Sequence, residues 1–199
     1  MKKPQKAKKQ TSKTLRIGVS GSRGSFSEEA ANFYAAKNKV KDYKIEYLVS
    51  VGNVLRALTE EKTDKGIFPI ENSNGGVVLE AVYAMSQYIF NIENLFEVDI
   101  RHCLLVKPGT NATDIRKIVS HQQALRQCRM YLARKWGDLE LVEYCDTAVA
   151  ARDLSRDKLA KNCAVIAPKV CAKLYGLDIL EEGIQDLKYN YTSFIVAVK

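Results

Sequence analysis

The chain has 199 residues, 46% of them hydrophobic and 27% charged, with a formal net charge of +8. Such a composition excludes a disordered chain, no run approaches the length of a transmembrane helix, and the N-terminus lacks the apolar core of a secretory signal. The charge is unevenly placed: Lys2, Lys3, Lys6, Lys8, Lys9 and Lys13 fall in residues 1–14, leaving 25 basic against 23 acidic residues elsewhere. The remainder is nearly neutral, so a specific nucleic-acid partner has only a tail to support it. Residues 1–14 read as a disordered basic leader whose removal leaves fold and turnover intact.

After the leader, Leu15–Val19 alternates as a half-buried strand does, and Gly21-Ser22-Arg23-Gly24-Ser25-Phe26 turns into a helix, with Ser25 and Glu28 at capping-box spacing. The third glycine of a dinucleotide fingerprint is missing, as is the Gly-Lys-Ser/Thr of a P-loop. A strand at Ile45–Val49 and a helix at Val54–Lys62 lead to Gly66–Val78. There an apolar strand gives way to Glu71-Asn72-Ser73-Asn74-Gly75-Gly76, a turn whose carboxamide, hydroxyl and backbone amides are expected to hold an anion. Val77–Phe90 reads as a long apolar helix. This β-α-β-α-β-α order argues for a parallel sheet with helices on its faces.

A second series begins with a strand through His102–Val106, a short helix from Thr113 and the strand Ile118–Ser120. Helical spacing of Ala124, Cys128, Tyr131 and Leu132 runs to Trp136, Leu139–Tyr144 is a strand, and Asp146 or Thr147 caps the next helix. Cys163–Ala167 is a buried strand, Lys169–Tyr175 a helix stopped by Gly176, and Phe194–Val198 is too apolar to be a tail and must be a core strand. The five cysteines, Cys103, Cys128, Cys145, Cys163 and Cys171, read as buried reduced thiols of a cytosolic protein. With only His102 and His121 besides, no metal site is expected.

Four polar strand-to-helix turns, two in each half, suit a cleft between two lobes for a ligand with two anionic ends, without metal or nucleotide. The expected lobes are 15–98 and 99–183, with 184–199 as return segment and junction strand.

At these residues the chain resembles prephenate dehydratase over Leu15 to Lys199. The family's marks stand in order at Gly21–Ser27, Pro69–Gly76, Ser120–Cys128, Thr147–Ala151, Tyr175–Leu177, Ile184–Asp186 and Thr192–Phe194. The resemblance implies an α/β, two-lobed, type II periplasmic-binding-protein-like fold, each lobe a mostly parallel sheet flanked by helices. It also implies a cytoplasmic homodimer acting on prephenate or arogenate, without cofactor, in phenylalanine biosynthesis. By motif position, Thr192 assists the leaving hydroxyl, and Ser25, Asn72, Ser73, Ser120, Gln127, Thr147, Ala148, Ser193 and Phe194 bind substrate. The family's Thr-Arg-Phe reads Thr192-Ser193-Phe194 here, and Arg23 is expected to supply part of the lost positive charge. The chain ends without the regulatory domain that commonly follows this unit, so feedback by phenylalanine is not expected within it. A non-aromatising prephenate decarboxylase and a non-catalytic two-lobed sensor are the alternatives.

Overall fold

The computed structural model describes residues 14–199, so the leader expected at 1–14 lies, apart from Thr14, outside the described residues. Ile17 and Val19 of β1 (Leu15–Val19) are fully buried. Ser25 caps α1 (Phe26–Lys37) as its spacing requires: its Oγ accepts the Glu28 N–H at 3.3 Å, while the Glu28 carboxylate accepts the N–H of Gly24. β2 (Tyr43–Tyr47), α2 (Val51–Thr59) and β3 (Lys65–Asn72) follow, and β1 pairs in parallel with both β2 and β3.

The expected helix over Val77–Phe90 does not form at that length. β4 (Gly76–Val77) folds back on β3, α3 spans only Leu79–Met85, and β5 (Asn91–Asp99) already belongs to the first sheet. Only Ala81 and Ala84 of α3 are buried, whereas Leu79, Val82 and Tyr83 are exposed. Strand pairing on both sides takes up the residues that apolarity alone assigns to a helix.

The second sheet holds β6 (His102–Val106), β7 (Lys117–Ser120), β8 (Glu140–Glu143), β9 (Cys163–Pro168) and β10 (Asp178–Glu182), in the order β10-β6-β9-β7-β8. The helix expected from Ala124 to Trp136 breaks at Cys128 (φ −110°, ψ 13°) into α4 (Gln122–Gln127) and α5 (Arg129–Trp136). Asp186 stabilises the break, its carboxylate accepting the N–H groups of Met130 and Tyr131 at 2.8 Å each. Asp146 caps α6 (Thr147–Ser155), and Gly176 ends α7 (Val170–Tyr175) at φ 65°, a left-handed position that favours glycine.

β11 (Tyr191–Val198) returns to the first sheet, giving the order β2-β1-β3-β11-β5, and runs antiparallel to both neighbours. Phe194 and Val196 pack with Ile17 and Phe96 on one face, Ile195 and Ala197 with Leu55 and Phe68 on the other. Each large side chain buried in this way contributes about 1.5–3 kcal/mol, so the last strand anchors the first sheet. Parallel pairing holds where β-α-β units build the sheets, in β2-β1-β3 and β9-β7-β8; strands arriving by hairpin or return crossing pair antiparallel, so each sheet is mixed rather than mainly parallel. Among the described residues, no helix is long and apolar enough to cross a membrane.

Candidate active site

The chain crosses between the sheets twice, after β5 and before β11, and cavities flank the crossings. Ile100 and His102 line one, of about 730 Å³; Asp99, Arg101 and Cys103 line the other, of about 850 Å³, as the alternation of an extended segment requires. The larger one gathers Glu28, Glu29, Glu97, Asp99 and Glu182 against Arg101 and Lys169, an arrangement that repels a dianion. The smaller one lies between the lobes and is lined by Ser25, Asn72, Gln127, Thr147, Thr192 and Phe194 among others. Its size fits a small-molecule cleft.

Asn72, buried at the end of β3, organises this cleft. Its Oδ1 accepts the backbone N–H groups of Asn74 at 3.0 Å and Gly75 at 2.7 Å, which fixes the orientation of the amide without reference to any side chain. The Gln127 group that meets the same oxygen at 3.1 Å must therefore be its Nε2, and Gln127 Oε1 is left to accept from Asn190 Nδ2 at 2.9 Å and from His102 Nε2 at 2.8 Å. Asn190, wholly buried, is oriented independently because its Nδ2 also donates to the Ile100 carbonyl at 3.1 Å. On its other side Asn72 Nδ2 donates to Asn190 Oδ1 and to Thr192 Oγ1, both at 2.9 Å, and shares its two protons with the Tyr191 carbonyl at 3.2 Å. Thr192 Oγ1 is thus an acceptor toward Asn72, and its own proton is free for a partner in the cleft.

The His102 ring carries its proton on Nε2, leaving Nδ1 buried without a hydrogen-bond partner among the described residues. Burial lowers its pKa to about 4, so the ring is neutral near pH 7. Phe26 packs edge-on against it, with centroids 5.3 Å apart.

The expected anion-holding turn is not formed as expected, because Asn72 itself consumes the amides of Asn74 and Gly75, and Ser73 Oγ accepts the Tyr191 N–H at 3.0 Å. Ser120 is wholly buried and donates its hydroxyl to the Ile166 carbonyl at 2.7 Å; His121 Nδ1, not Ser120, caps α4. Ala148 is buried behind Thr147 in the second-lobe core. Ser193 pairs with Glu71 and Glu97, on the sheet face opposite Thr192, and does not line the cleft. Arg23 is exposed, is not among the cleft-lining residues, and contributes only its carbonyl to the Tyr175 hydroxyl at 2.7 Å; it does not replace the lost guanidinium. Cys145 is exposed at the cleft, against the expectation of a buried thiol, whereas burial pushes Cys171 up to about 12.

With this geometry in place, comparison with known proteins is direct: the family model for prephenate dehydratase matches residues 17–199. The chain belongs to the prephenate dehydratase family. Arogenate dehydratase/prephenate dehydratase 2, chloroplastic, of Arabidopsis thaliana is 31% identical over 185 residues, which cover 93% of this chain and 46% of that protein. The crystal structure of prephenate dehydratase from Arthrobacter aurescens in complex with L-Phe superposes with a TM-score of 0.83 at 26% identity, covering 93% of this chain and 60% of that one. A periplasmic substrate-binding protein from Coxiella burnetii, at TM-score 0.50 and 18% identity over 92% of this chain and 84% of its own, shares the two-lobed type II fold alone. The chain spans about half the length of the curated relatives it matches.

Within this prephenate dehydratase fold, sequence reasoning missed Asn190 and the role of His102. Asn190 lies on the crossing before β11 and His102 opens β6 just after the other crossing, where the sequence signal is a polar residue beside an apolar strand.

Proposed function

We propose that this chain is a dehydratase that removes the ring hydroxyl of prephenate or arogenate as water and the ring carboxylate as carbon dioxide, leaving phenylpyruvate or phenylalanine. The observation that carries this reading is the contact between Asn72 Nδ2 and Thr192 Oγ1, whose direction is fixed by backbone groups and leaves the threonine as a donor facing the cleft. As the bond to the carboxylate breaks, its electron pair enters the ring, and the carbon–oxygen bond opposite breaks with its pair on oxygen. One proton is taken up from solvent, so the oxygen leaves as water. A threonine hydroxyl is too weak an acid to surrender its proton outright. Its hydrogen bond strengthens instead as charge builds on the departing oxygen, an effect typically worth about 10²–10³ in rate, or roughly 3–4 kcal/mol.

The neutral His102 holds Gln127 in orientation and does not act as the acid. Ser193, across from Glu71 and Glu97, bears on the sheet and not on the substrate. A decarboxylase that keeps the ring hydroxyl has no use for a donor there, so Thr192 favours dehydration. A cytoplasmic homodimer belongs to the same proposal, and sedimentation velocity checks the association.

Purified protein incubated with prephenate should form phenylpyruvate, read by its ultraviolet absorbance and mass; with arogenate, phenylalanine. A decarboxylated product that retains the hydroxyl, or release of both compounds unchanged, would overturn the reading.

A further inference from the structure

Resting on that reading, the substrate brings two carboxylates into the cleft, and the charged side chains lining it there are Glu80, Asp146 and Arg126. The two acids are already engaged: Glu80 Oε1 accepts the Val51 N–H at 2.9 Å, and Asp146 Oδ1 accepts from Val149 N–H at 2.8 Å and Ser22 Oγ at 2.9 Å. Arg126 is therefore the one fixed positive charge among the described lining residues. It precedes Gln127 on α4, is exposed, and reaches across the cleft, where its Nη2 donates to the Gly75 carbonyl at 3.2 Å. Among the described residues its side chain is bonded only to the Gly75 carbonyl, so most of its five N–H donors are available to a ligand.

We propose that Arg126 grips the carboxylate on the three-carbon side chain of the substrate. The two carboxylates differ in what the reaction asks of them. The ring carboxylate must lose its charge on leaving as carbon dioxide, and a guanidinium held against it would stabilise the reactant and oppose departure. The side-chain carboxylate keeps its charge throughout, so a cation on it binds reactant and transition state alike. An exposed arginine at the rim serves that second carboxylate, with the ring directed inward to Thr192. The bond from Nη2 to the Gly75 carbonyl sets the guanidinium across the two lobes, over the mouth of the cleft.

Two measurements on the full chain decide this. Calorimetry with 3-phenylpropionate and 3-phenylpropanamide isolates the carboxylate: the wild type should bind the acid about 10–100-fold more tightly than the amide, and Arg126→Ala should abolish that preference, with Arg126→Lys restoring part of it. In turnover, Arg126→Ala should lose kcat/KM chiefly through a rise in KM, as expected for uniform binding. A wild type that does not prefer the acid, a preference undiminished in Arg126→Ala, or a loss confined to kcat overturns the assignment. Should the wild type turn over neither prephenate nor arogenate, the dehydratase reading fails on its own, while the acid–amide comparison still decides the role of Arg126.

Discussion

Ile100 and Asn190 join the two chain crossings twice, Ile100 N–H donating to the Asn190 carbonyl at 2.7 Å and Asn190 Nδ2 to the Ile100 carbonyl at 3.1 Å. The pair of crossings between the lobes thus also orients the polar groups of the cleft. Asn190→Ala removes the side-chain bonds to Ile100, Gln127, Asn72 and Asn74 from a fully buried position. Leaving such groups unpaired costs about 1–3 kcal/mol each before relaxation. Urea unfolding should show a loss of roughly 3 kcal/mol or more, and kcat should fall with it.

Thr192 is the test of the chemistry. Thr192→Ala should lower kcat by about 10²–10³ while ligand affinity and melting temperature change little, the pattern of an interaction made in the transition state. Thr192→Ser, which keeps the hydroxyl, should recover most of the rate. Asn72→Asp is the sharper variant. It replaces the donor to Thr192 with an acceptor, turns the threonine proton away from the cleft, and should cost at least as much kcat as Thr192→Ala. Stopped-flow single turnovers with thermal melts separate the effect on chemistry from that on folding.

His102 gives stability a pH dependence of known sign. Folding lowers its pKa from 6.5 to about 4, so as pH falls the unfolded chain takes up the proton first. Its share of stability is whole above about pH 6.5 and drains away between 6.5 and 4, by roughly 3 kcal/mol at the lower end. His102→Gln should flatten the fall in melting temperature over that window. An unchanged profile would assign the acid loss to other groups.

Gly75 is where the turn after β3 meets α4: a Cβ placed there would stand 1.6 Å from Gln123 Nε2 and 2.9 Å from its Cδ. Alanine displaces the flexible end of Gln123 and stands 3.3 Å from Asn72 Oδ1, whereas the branched side chain of valine extends the overlap. Gly75→Val should hold the lobes apart, raising KM by about tenfold or more with little change in unfolding free energy. Small-angle scattering with and without phenylpyruvate reads the closure directly.

Ser193→Arg should place a cation between Glu71 and Glu97, its partners on the two neighbouring strands. Cross-strand pairs of opposite charge stabilise sheets, and exposed ones are screened by salt. The melting temperature should rise at low ionic strength and the gain should shrink at high salt, with KM unchanged. A fall in KM instead would place this position at the substrate.

Local chemistry was legible in the chain itself. Ser25, Asp146 and Gly176 mark helix ends because caps and left-handed stops depend on residues a turn apart, and Phe194–Val198 declares a core strand by having no polar face. The motif positions Asn72, Gln127 and Thr192 were likewise visible, and the fold brings them into one cleft. What the sequence could not determine depends on which strands pair, above all β11 from the far end of the chain with β3 and β5, and β4 with β3. A helix over Val77–Phe90 satisfies apolarity, yet β4 and β5 are claimed by strands on either side. Ser193 and Thr192 are neighbours in the chain but face opposite sides of β11, because register assigns alternate residues to alternate faces. The donor direction of the Thr192 hydroxyl is set by amides at Asn74 and Gly75 and by the carbonyl of Ile100, groups that every residue carries and no side-chain pattern reveals; only their placement by the tertiary fold turns a run of asparagine, glutamine and threonine into a directed site.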